Sequence, residues 1–193
     1  GRRGFLLSAT AMATLGAGCA SQGLLPLAPP GSGIRYLNTD RGAPSGIVED
    51  LARRTFRFFW ETTDAATGLA PDRYPTSAPC SIAAIGFALT AYAIGVGREY
   101  ISRQEARART LVTLRFLYAL PQGPQARGVA GHKGFYYHFL EMSTGLRAGD
   151  CELSTVDTAL LMCGALHVQA FFDTDEPDEV EIRRLVDEIS GRV

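Results

Sequence analysis

An excess of either charge is the first thing this 193-residue chain lacks: 19 lysines and arginines stand against 20 aspartates and glutamates, for a net charge of −1. So balanced a chain has no electrostatic claim on nucleic acid or on an anionic membrane. Metal-ligating residues are sparse too, with 3 histidines and 4 cysteines. Cys19, Cys80, Cys151 and Cys163 form no CxxC pair and no zinc-type spacing, and are too few for a disulfide scaffold. Cys80 and Cys151 are left either to pair after export or to act as small unpaired hydrophobes. Neither a metal nor a cofactor is expected. No run is long and apolar enough for an internal transmembrane helix. With 46% hydrophobic and 20% charged residues, the composition is that of an ordinary globular chain.

Acidic residues are also missing from the start, the first being Asp40. Arg2-Arg3 leads into Phe5-Leu6-Leu7 and a small, apolar run to Gly18. This pattern resembles a twin-arginine export signal over residues 1–22, which would make the export machinery a partner and the periplasm or outer envelope the destination. Leu15 to Cys19 resembles a lipobox with the leucine one place too far away, so Cys19 is a candidate lipid anchor. Residues 23–45 are rich in Pro, Gly and Ser and read as a linker. The chain opens on Gly rather than Met and closes inside a helical pattern. Residues 46–193 are therefore expected to be the N-terminal part of a larger domain.

Within 46–193 two kinds of helix alternate. Residues 46–62 carry an apolar stripe of Val48, Ala52, Phe56, Phe59 and Trp60, the mark of a half-exposed outer helix. Residues 81–96 bear no charge on any face, which predicts a helix buried all round. Ser102-x-x-Glu105 is a capping box opening an amphipathic helix to about residue 120. Residues 154–172 are again nearly uncharged, and 176–192 again amphipathic. Outer and inner helices thus take turns, as in a helical solenoid or a closed α/α toroid. The long loops 64–80 and 121–153 both lead from an outer helix into an inner one, which puts them at one end. Residues 135–140 and 146–148 read as two strands of a short hairpin about Ser143-Thr144-Gly145.

Chemistry concentrates between Gly134 and Leu161, where an aromatic ribbon runs into Asp150, Glu152 and Asp157. Rings that stack on sugar faces beside carboxyls that move protons suit carbohydrate. If helical, residues 150, 154 and 157 share a face. Asp157 is nearly alone as a charge on its helix, where a carboxyl is costly unless used or paired. Ser154-x-x-Asp157 is equally close to a capping box, so a structural role stays open. On a strand, Tyr136 and His138 share one face and are expected to line the cleft, with aromatic packing as the plain alternative. Asp72-Arg73 lies in the loop at the same end, either holding sugar or fixing the loop as an ion pair.

Thr55 to Trp60, Gly68 to Pro75, Ser81 to Tyr92, Gly134 to Leu140 and Cys151 to Leu161 together resemble the glucoamylase-like family. That family is similar to bacterial endo-β-1,2-glucanases and to the transglycosylating domain of cyclic β-1,2-glucan synthases. The resemblance implies an all-α fold: a partial (α/α)6 toroid of inner and outer helices, with a short β-hairpin near the active face. It implies an enzyme, a glycoside hydrolase or transglycosylase using carboxylic acid/base chemistry on a β-linked glucan, β-1,2 above others, and inactive as this stretch alone. It implies catalytic roles for Asp157, Glu152 and Asp150, with Ser154 standing where the related glucanases carry an aspartate. Tyr136, His138, Asp72 and Arg73 are the expected substrate-binding residues. A non-catalytic periplasmic glycan-binding or envelope-associated protein is the competing reading.

Overall fold

The computed structural model describes residues 46–193. The export-signal, Cys19 and linker expectations lie outside the described residues. Five helices and four two-residue strands follow in order: α1 (Gly46–Thr62), β1 (Cys80–Ser81), α2 (Ile82–Gly97), α3 (Arg103–Ala119), β2 (Gly131–His132), β3 (Phe135–Tyr136), β4 (Phe139–Leu140), α4 (Thr155–Phe171) and α5 (Pro177–Ser190). No helix among the described residues is long and apolar enough to cross a membrane.

Local signals start the helices where the sequence places them. Ser81 caps α2 by accepting from the Ala84 N–H. Ser102 and Glu105 form the reciprocal capping box of α3. Ser154 caps α4 through the Asp157 N–H, and Pro177 opens α5, where its fixed φ suits the first turn.

The core is two-layered. Inner helices α2 and α4 pack on each other, α3 packs on α5, and α1 and α3 both pack on α2. Two glycines let the inner pair touch backbone to backbone: a Cβ added at Gly86 would lie 2.3 Å from the Leu160 carbonyl oxygen, and one at Gly164 2.1 Å from that of Gly86. Ile85, Leu89 and Tyr92 of α2 meet Leu161, Ala165 and Val168 of α4 in one continuous core with Leu114, Leu117, Ile182 and Val186 of the outer helices.

Three expectations are corrected. The inner helices are not buried all round: Phe87 and Ile94 on α2, and Val156 and Leu166 on α4, are exposed. On α1, Val48 is exposed and Phe56 alone is fully buried, because the packing against α2 centres on the second half of the helix. The ribbon 135–140 is not one strand. Lys133 and Gly134 both adopt positive φ, which turns β3 back on β2, as two-residue hairpin turns require. Two residues later β4 pairs with β1 instead. The expected partner 146–148 forms no named strand but does pair beside β4: Leu140 bridges Arg147, the Ala148 N–H donates to the Phe139 carbonyl at 3.0 Å, and the Glu141 N–H donates to the Leu146 carbonyl at 2.8 Å.

The β1–β4 pairing also answers the question of ends. It joins loop 63–79 to loop 120–153, and the Ile82 N–H donates to the His138 carbonyl at 3.2 Å. The N-termini of both inner helices therefore open on the same face.

Candidate active site

Asp157 is the third residue of α4. Its N–H donates to the Ser154 hydroxyl oxygen at 3.1 Å, and the Ser154 hydroxyl donates back to Asp157 Oδ2. One serine thus caps the helix and fixes the carboxylate. The side chain of Asp157 keeps only 16% of its exposure, so the group is shielded without being sealed.

His138 bridges the acids. Its Nδ1 lies 2.8 Å from Glu152 Oε1, and its Nε2 lies 3.8 Å from Asp157 Oδ2. The backbone reinforces the bridge, with the His138 N–H donating to the Glu152 carbonyl at 2.9 Å. The Glu152 carboxyl is held below the ordinary Glu range by its own backbone N–H and by the His138 ring. An ionised carboxylate only accepts, so His138 donates through Nδ1 and turns Nε2 to Asp157. The Phe139 ring stacks on the imidazole at 3.9 Å between centroids.

A scaffold of weaker bonds holds the approach segment. Cys151 Sγ accepts from the Phe139 N–H and donates to the Phe139 carbonyl. The Arg147 guanidinium donates to the Cys151 carbonyl at 2.8 Å and lies over the Tyr137 ring. Neither contact carries a signal in the sequence. Cys80, Cys151 and Cys163 are free thiols, and burial in the core pushes the Cys80 thiol up. No group of three His, Cys, Asp or Glu among the described residues could hold a metal ion.

The remaining expected site residues stand apart from the His138 bridge. Tyr136 is not at the cleft: it is 1% exposed, its hydroxyl donates to the Leu117 carbonyl, and burial raises its pKa to about 12. It pins the ribbon to α3. Asp150 is not on the helical face of Asp157, because α4 begins only at Thr155. It is 84% exposed and lies 3.5 Å from Arg127. Asp72 and Arg73 pair with each other at 2.6 Å in their loop. That loop is tied to the site's flank through the Pro71–Cys80 bridge. His167 is half-buried on α4, with burial lowering its pKa.

No family model matches the sequence. Over 149 residues the chain is 25% identical to an exo β-1,2-glucooligosaccharide sophorohydrolase (non-reducing end) of Parabacteroides distasonis, a match covering 74% of this chain and 19% of that protein. Among solved structures, a glucoamylase-like protein of Bacteroides uniformis is 24% identical with a TM-score of 0.66, over 76% of this chain and 35% of that one. An endo-β-1,2-glucanase of Chitinophaga pinensis, solved with sophorotriose and glucose, is 22% identical with a TM-score of 0.64, over 76% of this chain and 36% of that one. The chain therefore spans about a fifth of the length of the curated relative it matches. The fold is that of the glucoamylase-like proteins, and the five helices correspond to part of their (α/α)6 toroid.

Proposed function

We propose that this chain carries one acid–base side of a glycoside hydrolase or transglycosylase site for a β-linked glucan, β-1,2-glucan before others. The single observation behind the reading is the His138 imidazole held between Glu152 and Asp157 at the open end of the inner helices. Asp157, shielded and fixed by Ser154, suits the proton-transfer group at the glycosidic oxygen. Glu152, kept ionised, suits the orientation of His138 and the steadying of positive charge that develops on the sugar ring. Half-buried Tyr137 and Phe139 offer ring faces for a pyranose. The linkage is supported by the sophorohydrolase likeness. Export is part of the same proposal: Arg2-Arg3 supports a periplasmic or outer-envelope location, with Cys19 as the lipid site.

The test is an assay of the full-length protein on linear β-1,2-glucan. Short β-1,2-linked oligosaccharides should appear, and Asp157→Asn should stop their release while glucan binding persists. Binding without release in the wild type would replace this reading with the glycan-binding one. For export, Cys19→Ser should move the protein from the membrane to the soluble envelope fraction.

A further inference from the structure

A second recess lies beside α1, against the loop that follows it. Arg54, Arg57, Phe58 and Glu61 share one face of α1, spaced i, i+3, i+4, i+7. With Thr62 and Tyr74 they line a cleft of about 300 Å³, the small end of the range for ligand sites. Tyr74 forms part of its wall and is 71% exposed, so burial in a core does not explain this aromatic ring.

The charges in the cleft are already balanced. Arg57 donates through Nε to Glu61 at 2.7 Å, and Arg54 pairs with Asp50 at 2.9 Å. With both guanidiniums neutralised, the recess has little pull on a free anion. What it offers is a ring wall, Tyr74 and Phe58, beside a fixed row of donors and acceptors. That combination fits a neutral polyhydroxylated ligand, whose C–H face lies on a ring while its hydroxyls meet guanidinium and carboxylate.

Its location gives the ligand a source. Tyr74 directly follows Asp72-Arg73, and the Asp72 N–H donates to the Pro79 carbonyl at 3.0 Å. One residue on, Cys80–Ser81 pairs with Phe139–Leu140, next to His138. The loop thus links this cleft to the flank of the candidate active site. We infer that the recess is an accessory subsite for a glucan strand, Tyr74 stacking on a sugar ring and Arg57 and Glu61 holding its hydroxyls. The inference rests on the glucan reading above. A second contact on one strand raises the effective concentration of polymer at the site without changing the site itself.

The experiment compares the full-length protein with wild-type Tyr74, Tyr74→Ala and Tyr74→Phe, each in an Asp157→Asn background that leaves the sugar uncut, by calorimetry, using linear β-1,2-glucan and a β-1,2-linked glucose trisaccharide. Tyr74→Ala should weaken polymer binding about tenfold, the size of a lost stacking contact, with the polymer-to-trisaccharide affinity ratio falling by the same factor. Tyr74→Phe should restore most of it. Equal polymer affinity with wild-type Tyr74 and with Tyr74→Ala overturns the inference and leaves the hydrolase reading standing. Equal losses for polymer and trisaccharide also overturn it, since Tyr74 would then belong to the main site. A protein with wild-type Tyr74 that binds neither sugar overturns both.

Discussion

Two acid–base clusters in this molecule look alike on paper and differ in what is left over. On the outer layer, Glu179 of α5 is 1% exposed and meets Arg103 of α3 through both carboxylate oxygens at 2.7 and 2.8 Å. The Thr174 N–H and hydroxyl add two more bonds, and the guanidinium also lies over the Phe171 and Phe172 rings. Burial pushes the Glu179 carboxyl up, but Arg103 and Thr174 outweigh it and hold it at about 2. Four bonds from Arg103 and Thr174 hold the buried carboxylate, and the pair fastens α3 to α5. At the mouth of α4, by contrast, Glu152 is 67% exposed and His138 stands 3.8 Å from Asp157, longer than a hydrogen bond. A saturated cluster stabilises a fold. A cluster with an unfilled gap and solvent access can bind and exchange protons.

The sharpest way to break this contrast is to neutralise one carboxylate in each. Asp157→Asn should lower glucan turnover by roughly 10²–10⁴-fold, the scale of general acid–base catalysis. It should cost only about 1 kcal/mol of stability, since Ser154 still caps the backbone. Rate assays set against chemical denaturation read both numbers. Glu179→Ala should do the reverse, costing roughly 2–4 kcal/mol, somewhat under the figure for a fully buried pair because Arg103 keeps 37% exposure. The pH dependence has a definite sign. Glu179 titrates lower when folded than when unfolded, so its contribution is full above about 4.5 and drains away as the pH falls toward about 2. Acid titration of the melting temperature should show that loss in the wild type and not in Glu179→Ala.

The sequence made much of the frame legible. The Ser102–Glu105 box, the helix over 46–62 and the uncharged inner helices stand close to where periodicity and capping put them. The ribbon resisted because its partners are distant: β4 pairs with Cys80–Ser81 across the whole of α2 and α3, which no local pattern encodes. Splitting the ribbon also breaks the alternation, so Tyr136 enters the core while His138 turns outward. Asp157 was legible as an isolated charge, yet its link through His138 to Glu152 depends on that same split. Glu179 did carry a signal: it falls three residues before Ile182 and seven before Val186 on the apolar face of α5, where an acid needs a partner.

A smaller effect tests whether the open cluster depends on the inner helix contact. Gly164→Ala forces a methyl against the Gly86 carbonyl, and overpacking of this kind costs about 1–3 kcal/mol. Because α4 carries Asp157 and the start of α2 is bonded to the His138 carbonyl, glucan turnover should fall together with stability. Unchanged turnover would mean that the site is held by its loops alone.

The smallest effect is expected at Asp150, and it separates the rim from the bridge. Asp150 and Arg127 are each more than 80% exposed, at 84% and 81%, and 3.5 Å apart. Water screens such a pair, so Asp150→Asn should shift stability by no more than about 0.5 kcal/mol. Asp150 makes no contact with His138, so its loss should leave turnover within about twofold, far from the catalytic scale set by Asp157. Glu152→Gln should fall between the two, since it removes the acceptor that fixes Nδ1 of His138. The order Asp157, Glu152, Asp150 in turnover on linear β-1,2-glucan is therefore a direct readout of the bridge. If Asp150→Asn matched Asp157→Asn, the His138-centred arrangement would give way to one in which the exposed turn before α4 folds over the substrate.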